Sequence, residues 1–438
     1  MNKQKMRHSD FKLKHPCRNQ VSVQISALDD LIPLDHRARI IWAFVTKMDT
    51  SPCLWEINSF YGEVGRPATS PTILLALWLY SILDGNSSAR KLEELCQHHT
   101  VYRWLAGGVS VNRTTLAEFR SKHPSKFEDL LTNCLAVMLQ EGVIELEGFS
   151  QDGTKIKANA GFGSYRRKES LNKLKEEVRQ HIKKLDKETT SSGVYEKRKK
   201  AVLADREKRI EKALEVLENE KKNKIANRKK TGQPPSDDEL ENTRASTTDP
   251  EARKMKMGDG GFRIAYNVQF ATGVNSRVIY GVDVVNTLDP GTSPRLASKV
   301  HVRLNKLGLP AAKSWIADSA YSSKEDINVM CQLFPGCIYY APPKLKKGCD
   351  PKRYQRNDTD AVRRWRDSID TPVINELYRF RCSTSEFSNA QIKNKGLSKF
   401  SMRTLIKAKG ESLLNAIAHN ICRFMDLFSR VSPKVREC

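Results

Sequence analysis

The segment from residue 166 to residue 245 constrains the fold most, because it is too rich in charged side chains to enter a globular core. It nevertheless carries apolar residues at intervals of three and four, which is the pattern of amphipathic helices. Two such stripes occur: Leu171, Leu174, Val178, Ile182 and Leu185, and then Val202, Leu203, Ile210, Leu214 and Leu217. The turn-prone residues 189–193 (TTSSG) separate them. We therefore predict an inserted antiparallel helical hairpin, which is either a solvated spacer or an electrostatic handle for phosphates.

The residues before this insertion, from about 25 to 140, have the apolar spacing of helices. One helix is predicted by Ile40, Ile41, Phe44, Val45 and Met48, and a second begins at Pro71 and carries Leu74, Leu75, Trp78, Leu79 and Ile82. These apolar stripes are sufficient for a separate core. We therefore predict an all-α N-terminal domain over residues 25–140, preceded by a flexible tail of residues 1–24.

The end of this helical part has the order of a helix-turn-helix unit. Ser88 can cap one helix and Asn112 another, and a Gly-Gly pair at 107–108 interrupts the chain between them. The last helix would present three cations to a DNA groove: Arg113, Arg120 and Lys122. The alternative is a small helical bundle whose basic face is merely solvated.

The rest of the chain alternates strands and helices. Residues 143–151 (VIELEGFSQ) predict a first strand with Asp152 directly after it, and residues 262–270 and 277–285 predict a hairpin of two strands. A helix from Ser293 to Leu307 precedes the short strand SWIAD (314–318), CIYYA (337–341) is another strand, and a last helix covers Glu411–Met425. This order predicts an α/β domain with a mixed sheet, formed by residues 141–165 and 246–428 and followed by a tail of residues 429–438.

The charge of the chain predicts a polyanionic partner. The formal net charge is +24, from 75 Lys and Arg against 51 Asp and Glu. Nucleic acid is the leading candidate, since its affinity for proteins comes largely from contacts of Lys and Arg with phosphates; ribosome association or membrane-surface binding are alternatives.

Other classes of protein are disfavoured by what the sequence lacks. No apolar stretch reaches the ~18 residues of a membrane span, and the polar start MNKQKMRHSDFKLKH has no signal-peptide core. The ten cysteines form no C-x-x-C pair, and the group Cys96, His98 and His99 has no second pair at zinc-finger spacing. We expect a soluble protein of a reducing cytoplasm that does not bind membranes.

Candidate metal ligands occur at the ends of the predicted elements. Phosphodiester cleavage is readily performed with two divalent ions about 4 Å apart, and Mg²⁺ needs only a few protein carboxylates. Asp152 and Asp318 each follow a strand, and Glu386 lies on a predicted helix. If the first and fourth strands are neighbours, the two aspartates lie side by side. With 51 acidic residues in the chain, other candidates compete: Asp249, Asp259, Asp283 and Asp289.

Long motifs that run in order from about residue 20 to residue 428 narrow this choice. They include GRPATSPTILLALWLYSILDG, SQDGTKIKANAG, IADSAYSS, STSEFSNAQIKNKGLSKF and LLNAIAHNICRF. Together they resemble the DDE transposases of bacterial insertion sequences. The resemblance implies a ribonuclease-H-like catalytic core in which Asp152, Asp318 and Glu386 are the three acids that hold two Mg²⁺ (or Mn²⁺) ions. It also implies that the N-terminal domain binds the ends of the element and that a helical insertion between the first two acids is usual.

A further feature of the family is a block of Tyr, Arg, Glu and Lys around the third acid, with two, three and six intervening residues. The matching residues here are Tyr378, Arg381, Glu386 and Lys393, with one extra residue between Arg381 and Glu386. Lys393 lies two helical turns beyond Glu386, where it would hold a DNA phosphate unless it is only a surface lysine. Tyr378 and Arg381, together with Lys155 beside the first acid, complete the predicted DNA contacts.

The reaction implied by the resemblance is hydrolysis at the ends of the element by a metal-activated water, followed by attack of the freed 3′-hydroxyl on target DNA. Double-stranded DNA is then the partner, a homodimer is expected when two ends are brought together, and the protein works in the bacterial cytoplasm at the nucleoid. Two alternatives remain: a catalytically silent DNA-binding relative, and a ribonuclease-H-like nuclease.

Overall fold

The computed structural model describes residues 25–57, 59–60, 64, 66–122, 124–145, 147–188, 194–231, 234–344, 348 and 350–431. The N-terminal helices are α1 (Arg37–Lys47), α2 (Pro71–Leu83), α3 (Ala89–His98), α4 (Thr100–Ala106), α5 (Arg113–Ser121) and α6 (Lys126–Gln140). The chain continues with β1 (Phe149–Lys157), β2 (Tyr165–Arg167), α7 (Lys168–Glu188), α8 (Val194–Thr231), α9 (Asp237–Glu241) and β3 (Arg244–Ser246). The remaining strands are β4 (Arg253–Lys256), β5 (Phe262–Gly273), β6 (Ile279–Val285), β7 (Ser314–Ile316) and β8 (Ile338–Tyr340). The remaining helices are α10 (Ser293–Lys306), α11 (Lys324–Leu333), α12 (Asp360–Ser368), α13 (Pro372–Arg379), α14 (Phe387–Asn394) and α15 (Leu405–Val431).

The N-terminal helices begin where their caps predict. The Ser88 hydroxyl accepts a hydrogen bond from the backbone N–H of Lys91 at the start of α3, and Asn112 Oδ1 accepts one from Thr115 N–H at the start of α5. Gly107 ends α4 in the left-handed conformation, with φ of 60°. These contacts confirm the predicted helix boundaries, because each cap satisfies a backbone donor that the helix itself leaves free.

The core of these helices is continuous with the core of the sheet. Helix α15 is buried throughout residues 410–421 and packs against α2 and α6 on one side and β6 on the other. The expected separate core for residues 25–140 is therefore wrong. The physical reason is that α15 is apolar on more than one face, so it needs helices on one side and the sheet on the other.

Arg120 does not face a DNA groove, which corrects the expectation for α5. Its side chain is only 7% exposed, its guanidinium lies 4.2 Å from the centre of the Trp78 ring, and Nη1 donates to the Ser87 carbonyl at 2.7 Å. Arg113 at the start of α5 and Lys122, which caps its C-terminal end, are exposed, and Lys122 forms an ion pair with Glu118 at 2.8 Å. Arg120 therefore joins α5 to the core, while the other two cations remain available for DNA.

We expect Arg120→Ala to lower the free energy of unfolding by about 2 kcal/mol, because it removes a cation–π contact and leaves the Ser87 carbonyl without its charged donor. Urea denaturation followed by circular dichroism measures the change. Lys122→Ala is the matched control, since it removes an exposed cation from the same helix and should change stability by no more than about 0.5 kcal/mol. Equal stability of the two variants would contradict this role for Arg120.

The insertion is the predicted helical hairpin. Helices α7 and α8 pack against each other through a small core of their own: Leu171, Val178, Ile210, Ala213, Val216, Leu217 and Ala245 are buried, with Leu174, Ile182, Leu203 and Leu214 packed beside them. Val202, which was assigned to the second stripe, is exposed instead. The predicted turn at 189–193 lies outside the described residues. Antiparallel pairing of β2 with β3 closes the base of the hairpin.

The sheet is mixed and has the order β4-β5-β1-β7-β8, with β6 also pairing with β5. Strand β5 is antiparallel to β1, β4 and β6, whereas β7 runs parallel to both β1 and β8. The first strand starts later than predicted, because it covers Phe149–Lys157 and places Asp152 inside the strand rather than after it. The strand before Asp318 pairs in parallel with the first strand, which meets the condition under which the two aspartates lie side by side.

In the part of the chain that the structure describes, every helix is too short or too polar to cross a bilayer.

Candidate active site

The pairing of β1 with β7 brings Asp152 and Asp318 to the same place. In this parallel pair Phe149 lies opposite Trp315 and Ser150 opposite Ile316, and the same offset sets Asp152 beside Asp318. Strand β7 ends at Ile316 while β1 continues to Lys157. The two carboxylates therefore lie where the paired strands separate, which is the position at which parallel strands commonly present functional side chains.

Each aspartate is oriented by backbone and side-chain donors. Asp152 Oδ1 accepts from the Gly153 N–H at 2.9 Å, and its Oδ2 accepts from Nδ2 of Asn389 on α14 at 2.9 Å. Asp318 caps the short 3-10 turn that follows β7, with its Oδ1 accepting from the Ala320 N–H at 2.7 Å. Both oxygens of Asp152 and one oxygen of Asp318 are thus held in place by the protein.

Arg381 supplies the positive charge between the two acids. Its Nη2 lies 3.5 Å from Asp152 Oδ1 and 3.8 Å from Asp318 Oδ2, and its side chain is only 12% exposed. A single guanidinium nitrogen therefore contacts both carboxylates. The sequence suggested that Arg381 and its neighbour Tyr378 contact DNA, whereas in this structure the guanidinium is bound to the aspartates.

A π-helical turn follows Arg381, at the place where the sequence has one residue more than the block of Tyr, Arg, Glu and Lys that it resembles. Residues Cys382–Glu386 form this turn between α13 and α14. A π-helical turn contains about one residue more than an α-helical turn, so it absorbs an insertion without rotating the residues before it away from their neighbours. The Ser385 hydroxyl in this turn is hydrogen-bonded to that of Ser150 on β1, which anchors the turn against the sheet.

Glu386 ends this turn three residues before Asn389, which is the helix spacing of adjacent side chains. Its side chain is exposed, and Asn389 is the residue of this segment that reaches Asp152. Among the described residues no group of three His, Cys, Asp or Glu side chains has the arrangement of a metal site. The assignment of Glu386 as the third acid therefore stays a prediction.

The electrostatics of Asp152 suit a metal ligand. Burial raises the pKa of this carboxyl to about 6; Arg381 opposes the shift, while the nearby Asp318 and Asp289 add to it. Oδ1 of Asn389 is buried and has no hydrogen-bond partner in the described part of the chain. Two carboxylates and a free amide oxygen are hard oxygen donors of the kind that Mg²⁺ and Mn²⁺ prefer, so the residues present fit such an ion.

The raised pKa predicts that metal binding weakens in mild acid. A bound cation must displace the proton that Asp152 holds below about pH 6, so affinity should fall about tenfold per pH unit below that value and level off above it. Isothermal titration with Mn²⁺ across this range measures the effect. An affinity that stays constant down to pH 5 would contradict the participation of Asp152.

A buried polar network supports the other face of β1. Tyr321, the last residue of the turn that Asp318 caps, is fully buried and donates to Gln269 Oε1 at 2.6 Å. Gln269 Nε2 in turn donates to Asp289 Oδ1 at 2.9 Å. A Cβ at Gly153 would lie 2.3 Å from Gln269 Nε2 and 2.5 Å from Asp289 Oδ1. Only glycine at this position lets the side chains of Gln269 and Asp289 pack against β1 beside Asp152.

The other predicted site residues differ in their surroundings. Lys393 is exposed on α14, and Tyr378 is half-buried with its ring against that of Tyr340 and its hydroxyl hydrogen-bonded to Arg381. Side chains alternate between the faces of a strand, so Lys155 lies on the opposite face of β1 from Asp152. The structure therefore does not bring Lys155 to the two aspartates.

Two of the competing acids have structural roles. Asp283 is buried and forms ion pairs with Arg295 and Lys299 of α10. Asp249 accepts from the Tyr266 hydroxyl at 2.8 Å. Of the residues around the aspartates, Asp289 was expected only as a competing acid, and Asn389 was not expected from the sequence. The spacing of Asn389 from Glu386 and Lys393 on one helix was the available signal for it.

Comparison with known proteins bears on the N-terminal helices. Residues 26–122, about a fifth of the chain, match the family described as Transposase domain (DUF772). No curated protein and no solved structure matches the chain significantly. The family match covers α1 to α5 and supports a transposase.

Proposed function

We propose that this protein is a DDE transposase that cleaves the ends of an insertion sequence and joins them to target DNA in a reaction that requires divalent metal. The observation that carries the proposal is the pair Asp152 and Asp318, which adjacent parallel strands bring together and a single guanidinium contacts. The sheet order around β1 is compatible with a ribonuclease-H-like core. The transposase match of the N-terminal helices supports the same class of enzyme.

Asp152, Asp318 and Glu386 would hold two Mg²⁺ ions in this proposal, with Asn389 as a further oxygen donor. When bound, such ions would activate the attacking water or 3′-hydroxyl and stabilise the leaving oxygen. The protein contributes the fixed positions: Gly153 N–H and Asn389 orient Asp152, and Ala320 N–H orients Asp318. Arg381 would then be free to turn its guanidinium toward a phosphate of the bound strand.

DNA binding outside this centre is assigned to exposed cations. Arg113 and Lys122 on α5 are available to the ends of the element, and Lys393 on α14 is available near the cleaved strand. The net charge of +24 favours such contacts without specifying a sequence. Because the reaction joins two ends, we propose that the protein acts as at least a homodimer, in the bacterial cytoplasm.

The test uses DNA duplexes that carry the sequences flanking the coding gene, together with a supercoiled target plasmid and Mg²⁺ or Mn²⁺. The expected result is nicking at the boundary of the flanking repeats, followed by covalent joining of the 3′-ends to the plasmid. Metal-dependent cleavage of RNA in an RNA–DNA hybrid, without joining, would instead indicate a nuclease. Sequence-specific binding without any cleavage would indicate a catalytically silent relative.

A further inference from the structure

A cavity lies at the base of the helical hairpin, between the hairpin and the edge of the sheet. Its volume is about 400 Å³, and we call it the insertion cavity; its lining residues are Phe162, Tyr165, Glu220, Lys224, Asn242, Thr243, Arg244 and Lys254. The volume falls within the range of about 300–1,000 Å³ that is usual for sites that bind small molecules. The proposed reaction at Asp152 and Asp318 makes no use of this cavity.

The lining of the insertion cavity is cationic. Three basic side chains, Lys224, Arg244 and Lys254, contribute to it against a single acid, Glu220. Glu220 already forms an ion pair outside this set, because its carboxylate accepts a hydrogen bond from Arg253 Nε at 2.8 Å. The cavity therefore has an excess of positive charge, which is complementary to an anionic ligand and unfavourable for the basic segments of this chain.

Exposed aromatic rings lie beside these cations. Phe162 and Phe262 are each 50% exposed, and Lys254 Nζ lies 5.9 Å from the centre of the first ring and 4.7 Å from that of the second. The Tyr165 ring lies 6.2 Å from that of Phe162. Aromatic faces next to lysine and arginine are the combination by which proteins stack single-stranded bases while holding their phosphates.

We propose that the insertion cavity binds an unpaired nucleotide of the DNA strand, with its base against Phe162 and its phosphate on Lys254 and Arg244. A concave site of this size admits one extruded or unpaired nucleotide but not a duplex, whose recognition needs a surface that enters a groove. The inference rests on the proposed function only in that the bound polymer is DNA.

The insertion cavity lies at a distance from the aspartates that one DNA strand can span. Lys254 lies opposite Ile264 on β5, and the Ile264 carbonyl accepts from Ala158 N–H at the end of β1. Ala158 is six residues beyond Asp152, and strands rise about 3.3 Å per residue, so the cavity lies about 20 Å along the sheet from that carboxylate. This distance corresponds to about six nucleotides of B-form DNA.

The test measures binding of the full-length protein to a labelled single strand of about 12 nucleotides and to the duplex of the same sequence, by fluorescence anisotropy in EDTA. We expect Phe162→Ala to weaken single-strand binding about tenfold and to leave duplex binding unchanged. Lys254→Gln should weaken single-strand binding and reduce its salt dependence by about one phosphate contact. Both residues are exposed, so thermal denaturation should show that the variants remain folded.

Matched controls use exposed residues of the same types elsewhere. Phe60→Ala and Lys352→Gln should leave both affinities unchanged. Equal weakening of single-strand and duplex binding by Phe162→Ala, or no weakening, would overturn the inference. If the parent protein cleaves duplex ends but the variants bind single strands normally, only this inference fails. Absence of binding to either DNA by the parent protein would contradict the proposed function as well.

Discussion

Replacing Asp152 or Asp318 by asparagine is expected to lower the rate of metal-dependent end cleavage by about 1,000-fold or more. Each substitution removes a negative charge that a divalent ion needs, and electrostatic stabilisation by such ions contributes several kcal/mol to catalysis, each 1.4 kcal/mol being tenfold in rate. Asparagine retains the size of the side chain, so the strand pairing that sets the two positions beside each other should persist. The measurement is the initial rate of nicking on the flanking-repeat duplex.

Two further variants make this experiment decisive. Asp360→Asn is the matched control, because its carboxylate is 90% exposed at the start of α12 and pairs with Arg363 of the same helix. The cleavage rate of this variant should equal that of the parent. Glu386→Gln tests the third acid and should lower the rate about 100-fold or more. Cleavage at the parental rate by the Asp152 or Asp318 variant would refute the site, whereas a normal rate for Glu386→Gln alone would refute only that assignment.

Replacing Arg381 by alanine is expected to destabilise the metal-free protein by about 3 kcal/mol near neutral pH, because two adjacent, partly buried carboxylates lose their shared counter-charge. Mg²⁺ should then stabilise the variant more than the parent, since the ion replaces the missing cation and no longer competes with it. Thermal denaturation with and without Mg²⁺ measures both effects. End cleavage should also fall, because the guanidinium is proposed to bind a phosphate.

Arg379→Ala is the control for this prediction. Arg379 ends α13 two residues earlier, is exposed, and packs over the Phe380 ring without contacting the aspartates. Its removal should alter stability by less than about 1 kcal/mol and leave the response to Mg²⁺ unchanged. Arg381→Lys, which retains the charge, should recover part of the lost stability. The same Mg²⁺ response in the Arg381→Ala and parent proteins would contradict a counter-ion role.

Much of the secondary structure follows from local patterns along the chain. The caps at Ser88 and Asn112, the helix that begins at Pro71, and the two stripes of the hairpin all lie where spacing and capping residues predict them. Local rules succeed here because each of these features depends on residues within one or two helical turns. Local patterns predict β1 in the wrong place. The alternation covers residues 143–151, whereas the strand covers Phe149–Lys157.

The site residues were predicted partly from family resemblance and partly from the periodicity of the sequence. Resemblance to a family selected three acids from 51, and periodicity placed two of them next to strands. Neither could show that Arg120 turns inward against Trp78, that Asn389 reaches Asp152, or that a π-helical turn keeps Arg381 between the aspartates despite an extra residue. These contacts join residues that are distant in the sequence, so no local pattern encodes them.

The sequence by itself determined the helical N-terminal part, the charged hairpin and the strand-rich remainder, because amphipathic spacing and capping act over a few residues. Only the tertiary structure decided that the N-terminal helices share a core with the sheet and that Asp152 lies beside Asp318. The reason is that strand register and helix packing are set by which apolar faces are buried together, and those faces belong to segments far apart in the chain.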